Sequence, residues 1–263
     1  MIPPPLFDTH CHLDAAPLAL DVAAVWDRAR AVGVVGALAV GVDPRTWSAT
    51  ESLAALDGVR IGLGIHPEVV PSLSDDAIAR ALAELPERLV RVGAAALGEC
   101  GLDGPSGELD RQKRVLRAQL DIARALGLPV SLHVLGVQGE ALAVLRDVGP
   151  LPRGGIVHSY SGSAELVREY VRLGWSIGFA GAITRSNAKR PALAAAAVPA
   201  DFLVIETDAP YQPAGPDRRE LAHGEPKDLP LICEAVAHAR KTDVSDIAQL
   251  TTSNALRLLS SAP

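Results

Sequence analysis

The sequence predicts an α/β fold, a (β/α)8 barrel with an extra C-terminal helix, on three observations. Short apolar runs alternate with helical segments eight times over. The 263-residue length matches the roughly 250 residues such a barrel needs. The ionisable residues near these runs gather at their C-terminal ends. Strict alternation of strand and helix calls for a parallel sheet with right-handed crossovers. No linker or break in composition divides the chain, so residues 1–263 are expected to form one barrel domain.

The strands expected are Leu6–His12, Val34–Val42, Val59–His66, Val92–Glu99, Pro129–Val134, Gly155–His158, Trp175–Gly178 and Phe202–Asp208. Each is short and almost continuously apolar, as strands covered on both faces are. A helix over Asp21–Ala31 stops at Gly33, and one over Asp75–Leu85 is expected to end before Pro86. In Glu108–Leu126 the residues Leu109, Leu116, Leu120 and Ala123 share one face, and Gly127 takes the terminating position. After the eighth strand comes a polar, proline-rich loop, Tyr211–Lys227, then closing helices around Leu229–Ala239 and Val244–Leu259.

Composition narrows the function. Hydrophobic residues make up 48% but aromatics only 3%, so the core is aliphatic and a long base-stacking track is not expected. The net charge of −6 argues against non-specific coating of nucleic acid. The segment Met1-Ile2-Pro3-Pro4-Pro5 lacks the basic and apolar parts of a signal peptide, and no uncharged apolar stretch of about 18 residues occurs. Three cysteines without CxxC spacing suit a reducing compartment. The expectation is a cytoplasmic protein with no membrane partner.

Five of the seven histidines lie at strand ends: His10 and His12 on the first, His66 on the third, His133 on the fifth and His158 on the sixth. Glu99 ends the fourth strand and Asp208 the eighth. All of these ends converge on the barrel face where catalytic groups sit. In Asp8-Thr9-His10-Cys11-His12, strand alternation puts both imidazoles on one side and Cys11 on the other. Taken one at a time, each residue has a plainer reading: a core histidine pair, a salt-bridged Glu99, an Asp208 that caps a turn. Taken together they point to a metal site, because a carboxylate ending so apolar a run as Ala94–Gly98 is costly unless paired or bound to a cation.

The runs Phe7–Leu13, Gly64–Pro67, Gly98–Asp103, Pro129–His133, His158–Gly162 and Glu206–Tyr211 resemble, in order and across nearly the whole chain, the TatD family of metal-dependent deoxyribonucleases. Leu250–Ala255 is similar to the family's last helix. The resemblance implies an amidohydrolase-type barrel with two divalent ions. One would be held by His10, His12 and Asp208 and the other by His133 and His158, with Glu99 between them. It also implies that Asp208 orients or deprotonates the attacking water and that His66 contacts the substrate phosphate. Mixed N/O ligands leave Zn, Mn and Mg open, with imidazole favouring the transition metals.

Parts of the pattern depart from the family. Val134-Leu135-Gly136 stands where an arginine commonly follows the fifth-strand histidine, Gly104-Pro105 where an aromatic is common, and His223-Gly224-Glu225-Pro226 where Arg-Asn-Glu-Pro is frequent. The expected substrate is short or single-stranded DNA, with Tyr160 and Tyr211 stacking on bases and Arg185, Lys189, Arg218 and Arg219 meeting phosphates. An amide, lactone or ester hydrolase of the same barrel type is a second reading. It is disfavoured because Glu99 stands where many such barrels carry a carboxylated lysine. A non-catalytic metal-binding subunit is a third, against which the full set of ligands speaks.

Overall fold

The computed structural model describes residues 4–217 and 222–260. Eight parallel strands run in chain order: β1 Leu6–Cys11, β2 Val34–Gly41, β3 Val59–Leu63, β4 Ala96–Asp103, β5 Val130–Leu135, β6 Gly155–Val157, β7 Trp175–Phe179 and β8 Leu203–Ile205. The β8–β1 seam is closed by Asp208 N–H donating to His10 O (2.9 Å) and His12 N–H donating to Ala209 O (2.7 Å). Between the strands lie α1 Val22–Ala31, α2 Trp47–Ser52, α3 Asp75–Val92, α4 Leu109–Leu126, α5 Gln138–Val148, α6 Ala164–Arg172 and α7 Lys189–Ala197. The helices α8 Leu229–Arg240 and α9 Val244–Leu259 follow β8. The (β/α)8 barrel with its extra C-terminal helix is therefore present.

Two hydrophobic layers hold it. The larger one joins the outer strand faces to the helices, with Trp26, Leu85, Leu116, Leu120 and Ile232 among its buried members. The smaller fills the barrel interior with Phe7, Leu38, Val40, Ile156 and Val204, and α9 adds Ala255, Leu258 and Leu259 to the same cluster. The last helix thus shares in the interior core. The opposite mouth is left for polar side chains.

Local signals explain most boundaries. Asp21 caps α1 by accepting from Ala24 N–H (3.1 Å), Ser74 caps α3 by accepting from Ala77 N–H (3.2 Å), and Gly127 ends α4 at φ 63°. Two expectations fail: β4 does not end at Glu99 but runs on to Asp103, leaving Glu99 in mid-strand, and α3 is not stopped by its proline. The helix does not end before Pro86 but runs through it to Val92, so Val92 begins no strand and β4 starts at Ala96. The stop is Gly93 at φ 64°, whose N–H reaches Leu89 O and Val90 O. Ile78, Ala81, Leu85 and Leu89 form one buried face that spans the proline. Burial of that face outweighs the lost N–H, which costs about 3 kcal/mol in a helix interior. The ends expected at His66, His158 and Asp208 lie just beyond the hydrogen-bonded parts of β3, β6 and β8.

Candidate metal centre

Strands β1, β4 and β5 and the residues just beyond β1, β3, β6 and β8 bring His10, His12, His66, Glu99, His133, His158 and Asp208 together, and all are buried except the partly covered His133. Glu99 is the hub. Its Oε2 lies 3.3 Å from His10 Nε2 and 3.5 Å from His12 Nε2. Its Oε1 lies 2.7 Å from His158 Nε2, 3.0 Å from His133 Nδ1 and 3.1 Å from His66 Nε2. The two oxygens of one carboxylate therefore serve two separate groups of imidazoles. Asp208 joins the first group, with Oδ1 3.3 Å from His12 Nε2 and 3.9 Å from His10 Nε2.

Strand β3 makes room for this hub by having no side chain where β4 passes. A Cβ on Gly64 would collide with the Glu99 carbonyl, and one on Gly62 would come within 3.0 Å of Gly98 O. Asp208 sits at φ 51° and Ser159 at φ 45°, in the left-handed region that costs a non-glycine residue of order 1–3 kcal/mol. Asp208 is held there by its N–H bond to His10 O and by Tyr211 and Gln212 N–H groups donating to its carbonyl.

The outer partners of each ring decide which nitrogen faces inward with a free lone pair. His12 Nδ1 faces Val40 O at 3.3 Å and can only donate there, so Nε2 carries the inward lone pair. His133 Nε2 faces Asp103 Oδ2 at 3.0 Å, so its Nδ1 is the inward lone pair. Asp103 is held in turn by Ser106, whose N–H and hydroxyl both donate to Oδ1. His66 is wired the other way. The Glu68 N–H donates to its Nδ1 at 3.1 Å, which puts the proton on Nε2 and makes the inward nitrogen a donor. His10 Nδ1 meets Ser131 Oγ at 2.8 Å, and its ring stacks on His158 with centroids 3.9 Å apart.

Electrostatics follow from this crowding. Burial lowers His10 to a pKa of about 4, aided by the neighbouring His158 charge. Burial also opposes charge on His12 and His133, yet Asp208 and Glu99 carry His12 to about 9, and Asp103 with Glu99 carry His133 to about 10. Burial alone would raise the Glu99 carboxyl, but the imidazoles around it, His66 foremost, hold it well below the ordinary range. Asp208 is likewise lowered against its burial, with His12 the main cause. Two buried carboxylates are thus stabilised by protons on histidines whose lone pairs a cation could take instead.

The donor set fits a divalent cation. His10, His12 and Glu99 present atoms within 4.8 Å of one another, as do His10, His158 and Asp208, and His66, Glu99 and His133. Ring nitrogens meet at 3.2 Å (His10 and His12) and 3.1 Å (His133 and His158), and a cation could take the place of the proton each pair shares. The wiring of His66 makes it the poorest ligand of the set.

Several supporting residues carried no role in the sequence reading. Asp103 orients His133. Glu206 is fully buried and accepts from Thr9 Oγ1 at 3.0 Å and from Ser159 N–H, behind His158. Asp8 is fully buried and takes Thr207 N–H (2.9 Å) and hydroxyl (2.5 Å), tying β1 to β8. Gln212 donates to Asp208 Oδ2 at 2.8 Å. Burial of carboxylates inside otherwise apolar runs was the signal available for Asp8 and Glu206. For Asp103 and Gln212 there was none without the tertiary contact.

The centre opens into a cavity of about 650 Å3. Of the residues expected to meet substrate, His66, Tyr160 and Tyr211 line it. Tyr211 is 55% exposed, with its ring edge-on to His12 at 5.1 Å. Tyr160 is only 4% exposed and donates its hydroxyl to Ser163 O at 2.7 Å, so it forms a wall rather than a projecting stacking group. Arg185 does not line the cavity. Its guanidinium donates to Gly215 O (2.7 Å) and Pro213 O (2.6 Å), bracing the loop after β8. Lys189 is not a lining residue either, whereas its neighbour Arg190 is. Arg218 and Arg219 lie outside the described residues. Cys11, Cys100 and Cys233 are buried, and burial raises all three thiols.

A parallel barrel with such a donor cluster at its C-terminal mouth defines the class, a metal-dependent hydrolase. The family model described as TatD related DNase matches residues 7–260, and the chain belongs to that family. It is 33% identical over 256 residues to the uncharacterized metal-dependent hydrolase YabD of Bacillus subtilis, covering 96% of this chain and 98% of YabD. It is 32% identical over 270 residues to the 3′-5′ ssDNA/RNA exonuclease TatD of Erwinia billingiae, covering 96% of this chain and 98% of that protein. The crystal structure of the Escherichia coli TatD homolog YjjV superposes with a TM-score of 0.89 at 30% identity over the full length of both chains. Among the described residues no helix is long and apolar enough to cross a membrane.

Proposed function

We propose that the chain hydrolyses phosphodiester bonds, with short or single-stranded DNA as substrate, using two divalent cations. His10, His12 and Asp208 would hold one and His133 and His158 the other, with Glu99 shared. The observation that carries this reading is the split of Glu99, Oε2 toward His10 and His12 and Oε1 toward His133 and His158. Bound there, the cations would supply Lewis acidity to the scissile phosphate and to the attacking water.

The remaining work falls to side chains. Asp208, held ionised and steadied by Gln212, orients the water and takes its proton. His66 presents an N–H from Nε2 to a phosphate oxygen, since the Glu68 N–H occupies its other nitrogen. The Erwinia relative's name, an exonuclease on single-stranded DNA and RNA, supports a strand end as substrate. The cation is Zn, Mn or Mg, with the imidazole-rich set favouring the first two.

End-labelled single- and double-stranded DNA, incubated in EDTA and then with each metal, tests the reading. A metal-dependent product series, absent in Asp208→Ala and weakened through KM in His66→Gln with metal content unchanged, is expected. No cleavage by protein carrying about two metals per chain would refute the DNA assignment.

A further inference from the structure

The wall of the cavity changes character away from the donor cluster. Barrel order sets the ends of β5, β6 and β7 side by side. Their sector contributes Leu135, Tyr160, Phe179, Ile183, Arg190 and Pro191 to the cavity lining. Tyr160 and Phe179 form a fixed aromatic floor, edge to face with centroids 6.4 Å apart. Tyr160 is pinned by its bond to Ser163 O, and its ring occupies the space a side chain on Gly162 would need. Leu135 is 42% exposed, so it is spared from the core and faces the opening.

Arg190 is the only lysine or arginine lining the cavity among the described residues. It is exposed and makes no hydrogen bond or ion pair among them. It joins Tyr160, Ile183 and Pro191 in the lining of this sector. A strand bearing many phosphates would need several such cations, whereas among the described residues the lining adds only one and sets Glu68 against it. An aliphatic and aromatic wall with a single uncommitted guanidinium suits a flat aromatic ring, because guanidinium planes lie well on aromatic faces. A cavity of about 650 Å3 is in the size range of small-molecule sites, room for one nucleotide unit rather than a duplex.

We infer that the β5–β7 sector is a subsite for one flat aromatic ester group of the substrate, a nucleobase of a terminal nucleotide or a simple aryl group, covered by Arg190 and seated on Leu135 and Ile183. The inference rests on the phosphodiesterase reading and narrows it to diesters that carry an aromatic group.

Three chromogenic diesters test it in the metal-loaded protein: bis(p-nitrophenyl) phosphate, methyl p-nitrophenyl phosphate and thymidine 5′-(p-nitrophenyl phosphate). All release p-nitrophenolate, so only the retained ester differs. The aromatic diesters are expected to show a KM about tenfold below that of the methyl diester, within the range of base–aromatic stacking. In Arg190→Ala and in Leu135→Ser that ratio falls toward one. A thymidine preference over the aryl diester identifies a nucleobase as the occupant, and the reverse a simple aryl group. Equal KM for all three, or a ratio kept in both variants, overturns the subsite. Calorimetric binding of phenylphosphonate against methylphosphonate reads the same site without turnover. Tighter phenyl binding that Arg190→Ala abolishes upholds the subsite even if no diester is cleaved, an outcome that would count against the phosphodiesterase reading alone. Equal binding of the two phosphonates overturns the subsite.

Discussion

At the scale of single residues the centre depends on where ring protons sit. His12 and His133 each donate outward, to Val40 O and to Asp103, and so turn lone pairs inward. Asp103→Asn tests this at one atom. An amide can present N–H to His133 Nε2, which moves the ring proton to the inward Nδ1 and blocks it as a ligand. The expected result is a loss of about 10–100-fold in affinity for metal at one site, read by calorimetry, with the far-ultraviolet spectrum unchanged. Unaltered affinity in Asp103→Asn would mean that Asp103 only braces the loop to Ser106. In His66→Gln the opposite is expected: metal content stays at the native level while KM for a phosphodiester rises. The candidate ligands were legible in the sequence because each closes an apolar run where charge is out of place. Their partners were not. Asp103 and His133 lie 30 positions apart, and nothing local marks them as a pair.

At the scale of elements, β3 and α3 show how packing overrides local preference. Gly62 and Gly64 are bare because β4 passes against them at Gly98 and Glu99. Gly64→Ala drives a methyl into the Glu99 carbonyl and is expected to destabilise the fold by at least about 1–3 kcal/mol, the range of overpacked cores. It should also lower metal affinity, since Glu99 must move. Urea unfolding with and without added Zn or Mn measures both effects, and a variant with native stability would show that β4 yields without cost. In α3 the prediction runs the other way. Pro86→Ala restores a helix hydrogen bond and is expected to raise stability by about 1–3 kcal/mol. The denaturation midpoint decides the sign.

For the whole molecule, the barrel gathers two carboxylates and a ring of imidazoles that repel or neutralise one another only imperfectly. Glu99 is 2% exposed and Asp208 6%. A cation bound at their oxygens should therefore stabilise the entire fold and not only the mouth. Removal of metal with EDTA is expected to lower the melting temperature. Adding Zn or Mn back should raise it with the logarithm of free metal, the added stability being about 2.7 kcal/mol at a hundredfold excess over Kd. A melting temperature indifferent to metal would argue that the donor cluster is self-sufficient. The interior contribution of α9 gives a separate handle. Leu259 is 1% exposed in the barrel core, so Leu259→Ala is expected to cost about 2–5 kcal/mol while leaving metal affinity intact.

The alternation of apolar runs and helical segments called for a parallel sheet wrapped in helices, and eight such units in 263 residues pointed to its closure into a barrel. The same runs fixed the candidate ligands, since a strand's direction already says which of its ends reaches the mouth. Tertiary structure decided the rest. It carried α3 through Pro86, because a buried face extended by Leu89 outweighed one missing N–H. It turned Arg185 toward the Pro213 and Gly215 carbonyls and left Arg190 over the cavity, since which guanidinium finds a carbonyl depends on how a distant loop folds back. It also wired His66 as a donor among acceptors through a single backbone N–H from Glu68. Ring tautomers, loop braces and cavity walls are contacts between segments far apart in the chain, and local sequence pattern does not encode them.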